Sequence, residues 1–512
     1  MEGSKLDNDN NNINHIVIVG GGTAGWMSAA ALAVVVGPQN CRITLVESEQ
    51  IGIVGVGEAT IPPIVEFNKL LGINADEMLR ATQGTFKLGI EFINWGRIGD
   101  AYMHPFGVFG RTIRNVNFWH YWKKASDLGI SPGLEAYSLN WTAAKQDRFL
   151  RSGNVPNSPL SSVPHAYHFD ASLYAKFLQE FSTTKGVSRV EGIVAEVNQD
   201  THSGNITGII LQDGTSLEGD FFIDCTGFRG LLIEQCLQVG YEEWTHYLPC
   251  NSALAVPSEE ISPKHPYTKS IAHSVGWQWR IPLQHRTGNG IVYSSDLGSD
   301  EQARETLLAN LPSPSLAEPR QLRFVTGKRK KTWYKNCLSI GLSSGFMEPL
   351  ESTSIHLIQS TIMRFFALFP RRTGFEPEME RFNNLMDSEF RSIRDFLILH
   401  YKATERNDSE LWNYCRTMEI PDSLEEKLEL YRSGSWLNRD SSELFGQDSW
   451  LAVLDGQHIK ANNYSPLVDT VPVNSLESML RETRGVIAQC AEAMPAHEDF
   501  IARNCAALSI SG

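Results

Sequence analysis

His15-Ile16-Val17-Ile18-Val19-Gly20-Gly21-Gly22-Thr23-Ala24-Gly25 is the stretch on which the fold turns. After His15, its next four residues are all apolar and β-branched, the composition of a strand buried on both faces of a parallel sheet. The glycines that follow match G-x-G-x-x-G, and the Ala-rich run from Ala24 to Val36 predicts a helix whose small side chains pack closely on that strand. Glycines leading into a helix N-terminus offer backbone N–H groups and a positive dipole end to a pyrophosphate. A second apolar strand, Ile43 to Val46, ends in Glu47, 22 residues beyond Gly25, where an acid accepts a ribose 2′-hydroxyl and disfavours a 2′-phosphate. Gly20, Gly22, Thr23, Ala24, Gly25 and Glu47 are therefore the first candidate residues for holding a dinucleotide.

Farther along, Phe221-Phe222-Ile223-Asp224-Cys225-Thr226-Gly227 follows a strand at Glu191 to Val197 and is itself an apolar strand ending in Asp and Gly. In two-domain flavoproteins such a strand returns to the first module beside the cofactor, which favours FAD over NAD and adds Asp224 and Gly227. Read alone, the segment also fits an ordinary strand and turn.

Composition bounds the rest. A chain of 512 residues, 42% hydrophobic and 20% charged, can bury one large core or two intergrown ones. Its apolar runs are far shorter than the roughly 20 residues a bilayer needs, so a soluble protein with no membrane partner is expected. The first fourteen residues are polar, lack the pattern of a secretory signal, and are expected to form a disordered tail. Eight cysteines without C-x-x-C pairing or metal-ligand spacing suit free thiols in the cytoplasm, with no metal site. A formal charge of −14 disfavours nucleic acid as a partner. The basic run Lys328 to Lys331 is expected to be a solvated turn.

Three further segments carry a resemblance. Gly20 to Trp26, Gly55-Val56-Gly57-Glu58-Ala59-Thr60, and Trp277-Gln278-Trp279-Arg280-Ile281-Pro282 resemble the flavin-dependent tryptophan halogenases, whose signature includes W-x-W-x-I-P. The similarity runs from about residue 15 to about residue 435. It implies an FAD module of the glutathione-reductase-like α/β class, with Ala59 and Thr60 beside the cofactor. Trp277 and Trp279 share one face of a strand that Pro282 ends. Without the resemblance they would be core packing; with it, Trp277, Trp279, Ile281 and Pro282 lie near the flavin and help keep substrate away from it.

Thr85-Phe86-Lys87-Leu88-Gly89-Ile90 alternates, and Lys87 alone on its face reads as a solvated edge residue. In the family that position is the catalytic lysine, whose ammonium can polarise hypohalous acid or whose neutral amine can form a haloamine. Glu351 matches the second catalytic residue; by itself it is a helix-capping acid. Ile355, Ile358, Ile362, Phe365, Phe366 and Phe369 recur at helical spacing before Pro370, so Glu351 to Ser354 stands at a helix N-terminus. The free backbone amides of Thr353 and Ser354 are the candidate halide site. His104, Pro105 and Phe106 match the pair of rings that flanks the substrate's indole; alone, they are a turn.

The resemblance further implies reduced FAD (FADH2), oxygen and chloride or bromide as reactants, and a separate flavin reductase as partner. Hypohalous acid would pass through an internal tunnel to Lys87. Dimerisation is common in the family, so a homodimer is compatible, although no interface signal stands in this sequence. The chain departs from the family between Tyr431 and Phe445, where halogenases of free tryptophan grip the ammonium and carboxylate. That run is shorter here and lacks the Tyr-Tyr and Asn-Phe-Trp elements. An unpaired head group is costly to bury, so indole or an indole derivative is the expected substrate. Phe445 and Trp450 either line its pocket or pack the core.

The expected architecture is a tail over 1–14, an FAD module with interwoven substrate-binding segments over 15–384, and a mainly helical region over 385–512. A flavin monooxygenase is the competing enzyme. A flavin-bound protein without turnover is the competing non-enzyme.

Overall fold

The computed structural model describes residues 11–50, 57–434, 437 and 443–507. The strand His15–Val19 is buried along its length and lies at the centre of a six-stranded sheet. It pairs in parallel with Arg42–Glu47 on one side and with Phe221–Asp224 on the other. The distant Phe221 strand thus returns to the first strand, in register Ile16 to Phe221 and Val19 to Asp224. The helix Thr23–Val35 buries Trp26, Met27 and a run of alanines against this sheet, small residues that let helix and strand approach closely. The fold is α/β with a Rossmann-type dinucleotide sheet.

A second, seven-stranded sheet carries the remaining signature. Gly276–Pro282 pairs antiparallel with Thr268–Ala272, setting Trp279 opposite Ser270 and Trp277 opposite Ala272. Thr268–Ala272 also runs parallel to Gly89–Ile93, which pairs with Ala101–Pro105. The lysine strand Thr85–Lys87 belongs to a separate three-stranded sheet, held by Ala166–Asp170. Helices dominate from residue 354 onward. The helix Glu376–Lys402 spans residue 385, so the expected boundary falls within one continuous element.

Two local expectations change. Lys328 is not a solvated residue: it lies in the strand Gly327–Arg329, 4% exposed, with its ammonium 2.7 Å from Asp387. Arg329 beside it is buried and paired 2.6 Å from Glu234. Both cations are tolerated inside because each meets a carboxylate. Residues 1–10 of the expected tail lie outside the described residues. Asn14 is tied down, donating its backbone N–H to Asp220 at 2.8 Å. All eight cysteines are free thiols. Among the described residues no helix is long and apolar enough to cross a membrane.

Candidate active site

A cavity of about 960 Å³ opens where the glycine-rich turn meets the second sheet. Its walls include Gly20 to Ala24, Glu47, Ala59, Thr226, Gly227, Thr268, Ser270, Trp277, Trp279, Ile281, Ser352 and Ser354. Gly20 takes φ +111°, and a Cβ there would sit 2.3 Å from the Cys225 carbonyl oxygen. Gly25 is required for packing, since its Cβ would lie 1.8 Å from the Gly20 oxygen. At Gly22 and Gly227, by contrast, a Cβ would meet no protein atom within 4 Å. Those two positions border open volume that a side chain would take from a bound molecule. Glu47 accepts hydrogen bonds from Arg189 Nε at 2.6 Å and Trp26 Nε1 at 3.3 Å, which fixes its carboxylate at the end of its strand.

Not every expected cofactor residue reaches this cavity. Asp224 is fully buried, and its carboxylate accepts from the backbone N–H groups of Thr226, Leu232 and Ile233 and from the Thr226 hydroxyl. It shapes the turn that presents Thr226 and Gly227 and has no capacity left for a ligand. Thr60 donates its hydroxyl to the Tyr167 carbonyl at 2.7 Å and stands behind the wall. Pro282 likewise serves through its carbonyl, which accepts from the Thr85 hydroxyl at 2.7 Å. Gly55 and Val56 lie outside the described residues.

In the wall of the same cavity the chain makes a sharp turn. A short 3₁₀ segment, Pro349–Glu351, is followed by Ser352 at φ +58° and then by the helix Ser354–Ala367. A left-handed serine is uncommon and is sustained only by its surroundings. Here the turn sets Ser352 in the cavity wall while its Oγ accepts a hydrogen bond from Lys87 Nζ at 2.8 Å. Lys87 is fully buried, with the Phe106 ring centroid 5.2 Å from its nitrogen. Burial pushes its ammonium down from 10.5 to about 7, against the pull of the Glu351 carboxylate.

Glu351 is fully buried as well. Its Oε2 lies 2.8 Å from His104 Nδ1, and its Oε1 lies 2.8 Å from His400 Nε2. Burial alone would raise this carboxyl, but the two imidazoles more than reverse that and hold it at about 2. Around His104 the aromatic rings converge. Phe396 meets it edge-on at 5.6 Å, Phe445 stacks on Phe396 at 4.0 Å, and Trp450 meets Phe396 at 5.1 Å. Pro105 ends the strand that delivers His104. The structure therefore gathers Lys87, Glu351, His104, Phe106, Phe445 and Trp450 into one buried cluster next to the cavity. Thr353 caps the following helix, buried, with a hydroxyl oxygen that has no partner. The amides of Thr353 and Ser354 stand at the end of a helix whose first N–H groups lack helical acceptors.

Two residues of the site escaped the sequence reading. His400 sits on the helix Glu376–Lys402 in an apolar stripe with Ile393, Phe396 and Leu397, the pattern of a core histidine. Glu348 accepts from Trp277 Nε1 at 2.9 Å and from the Tyr401 hydroxyl at 2.7 Å, and burial raises it to about 7. Its place three residues before Glu351 was the available signal.

The family model described as tryptophan halogenase matches residues 15–473. The chain is 36% identical to tryptophan 6-halogenase ThaL of Streptomyces albogriseolus, over 84% of this chain and 83% of that protein. It is 32% identical to 7-chloro-L-tryptophan 6-halogenase KtzR of Kutzneria sp. (strain 744), over 95% and 99%. Among solved structures, Xcc4156, a flavin-dependent halogenase from Xanthomonas campestris, superposes with a TM-score of 0.94 at 44% identity, covering 97% of this chain and 99% of that one. BrvH, a flavin-dependent halogenase from Brevundimonas sp. BAL3, gives 0.93 at 42% identity, covering 96% and 99%.

Proposed function

The chain belongs to the tryptophan halogenase family and is a flavin-dependent halogenase, and from that premise we propose that it halogenates indole or an indole derivative through Lys87. The reactants are FADH2, supplied by a separate flavin reductase, with oxygen and chloride or bromide. Gly20 to Ala24 and Glu47 would hold the dinucleotide, and the open space at Gly22 and Gly227 fits a bound molecule of that kind. Reduced FAD with oxygen supplies the oxidising power that turns a halide into hypohalous acid. The amides of Thr353 and Ser354 would hold the halide.

Lys87 and Glu351 then divide the work. Hypohalous acid leaving the cavity meets Ser352 and, bonded to it, the Lys87 nitrogen. With its acidity near neutrality, Lys87 is present both as ammonium, able to polarise the acid, and as amine, able to carry the halogen. Glu351, held at about 2, is a weak base and stays ionised. Its fitting role is to stabilise the positive charge that builds on the ring as halogen adds. His104 fixes that carboxylate, and Phe106, beside the Lys87 nitrogen, would give the ring a flat surface to lie against, whereas Phe445 and Trp450 pack on Phe396 in the core.

The observation that carries this reading is the Lys87 to Ser352 hydrogen bond, because Ser352 belongs to both the cavity wall and the lysine's surroundings. Residues 435, 436 and 438–442 lie outside the described residues, so for the substrate the support is the sequence, which between Tyr431 and Phe445 lacks the Tyr-Tyr and Asn-Phe-Trp elements. That favours a substrate without an amino-acid head group. The test supplies enzyme, flavin reductase, FAD, NADH and either halide with indole or with tryptophan. Faster halogenation of indole is expected. Faster conversion of tryptophan would overturn the substrate reading, and hydroxylated product without halogen would overturn the reaction.

A further inference from the structure

Behind the cavity wall runs a chain of four groups whose hydrogen-bond polarity is fixed from one end. The Pro282 carbonyl can only accept, so the Thr85 hydroxyl, 2.7 Å away, donates its single proton there. Thr85 Oγ1 must then act as acceptor toward His168 Nδ1 at 3.0 Å, which places the imidazole proton on Nδ1. His168 is completely buried, and burial, with the nearby Lys87 charge, keeps it neutral. A neutral ring protonated at Nδ1 has a bare Nε2, and Thr268 Oγ1 lies 2.9 Å from it. The Thr268 hydroxyl must give its only proton to His168.

Thr268 is also part of the cavity wall. It stands on the strand Thr268–Ala272, whose register with Gly276–Pro282 puts Ser270 opposite Trp279 and Thr268 at the level of Ile281. Having spent its proton inside the protein, Thr268 can face the cavity only as an acceptor. Two residues on, Ser270 is 1% exposed and also lines the cavity, with a hydroxyl oxygen that has no partner. At Thr268 this wall can therefore meet a ligand only through an N–H or O–H of the ligand, while the Ser270 hydroxyl beside it is free to accept or to donate.

Flavin oxidation states differ in that respect. Reduction adds a hydrogen to the flavin ring at N5, converting an acceptor into a donor. We propose that the Pro282–Thr85–His168–Thr268 chain makes Thr268 an obligate acceptor that selects reduced FAD over oxidised FAD by its extra ring N–H. The inference rests on the flavin reading above and assigns Thr268 as a specificity residue, with His168 and Thr85 as positioning residues. It gives the enzyme a way to take FADH2 from a reductase and to release FAD afterward.

The test measures dissociation constants of FAD and dithionite-reduced FAD under anaerobic conditions, together with the midpoint potential of the bound flavin. Thr268→Val should weaken reduced FAD about tenfold, the worth of one hydrogen bond, with oxidised FAD unchanged. By linkage the bound potential should fall by about 30 mV. Thr268→Ser keeps the hydroxyl and should keep the wild-type preference. Thr85→Val removes the acceptor that fixes the tautomer, so it should erode the preference without touching the cavity, and it serves if Thr268→Val fails to fold. Equal changes in both affinities, or an unchanged ratio in Thr268→Val and Thr85→Val, would overturn the inference while leaving the flavin reading intact. Failure of the wild-type protein to bind either form would overturn both.

Discussion

Replacing Lys87 with methionine should stabilise the protein while removing its activity. Burial lowers the lysine from 10.5 to about 7, with Glu351 pulling the other way. At about 1.4 kcal/mol for each pKa unit, that fall corresponds to about 4 to 5 kcal/mol of folding free energy withheld at low pH. Between pH 7 and 10.5 the unfolded chain binds a proton that the folded chain does not. Stability therefore rises with pH across that window, and the lysine costs most below pH 7. Methionine keeps the aliphatic contacts but forfeits the hydrogen bond to Ser352, worth about 1 kcal/mol. Glu351 retains His104 and His400 as partners.

The net expectation is a variant more stable by about 3 kcal/mol at pH 7 and by about 1 kcal/mol at pH 9, since the wild type recovers about 2 kcal/mol over that interval. Urea unfolding of both proteins, followed by tryptophan fluorescence at the two pH values, measures this directly. A variant less stable than wild type at pH 7, or an advantage that does not shrink by pH 9, would refute the assignment of a strained buried lysine.

Three further outcomes follow from the same geometry. Glu351→Gln should lower kcat sharply with FAD affinity unchanged, and because the carboxyl is held at about 2 the wild-type rate should show no limb from this group between pH 4 and 7; steady-state profiles of both proteins check it. Trp277→Phe removes the donor to the buried Glu348 and should destabilise the fold by about 1 to 3 kcal/mol in denaturant titrations. Gly22→Val projects a side chain into open cavity, so it should weaken FAD binding by about 1 to 3 kcal/mol in equilibrium titration while leaving the unfolding midpoint near the wild-type value.

Much of the architecture was legible because it is written locally. The run from His15 to Gly25 couples strand, turn and helix within eleven residues, and each step has its own signature of β-branching, glycine and alanine. The Trp277 strand was equally readable from its alternation. What the sequence hid depends on contacts between distant segments. His400 and His104 meet Glu351 from separate parts of the chain, and a histidine in a helical apolar stripe looks like packing until the third residue is in place. Asp224 misled for the opposite reason. Its position at the end of a cofactor strand suggested a ligand contact, but the following turn consumes both carboxylate oxygens. Of the basic run, Lys330 and Lys331 are exposed ahead of the Trp333 strand as expected, but Lys328 was misjudged because burial of a cation depends on a partner, here Asp387, that lies 59 residues away.

If halogen passes from the flavin cavity to the aromatic ring through Lys87, removing the lysine separates oxidation of the halide from halogenation of the ring. Reduced FAD, oxygen and bromide should be given to wild type and to Lys87→Ala, with hypobromite trapped in one set of reactions and brominated indole quantified in the other. Both proteins should bind FAD and release oxidised bromine, and only the wild type should brominate indole efficiently. Undiminished indole bromination by Lys87→Ala, with bound FAD equal to wild type, would contradict it.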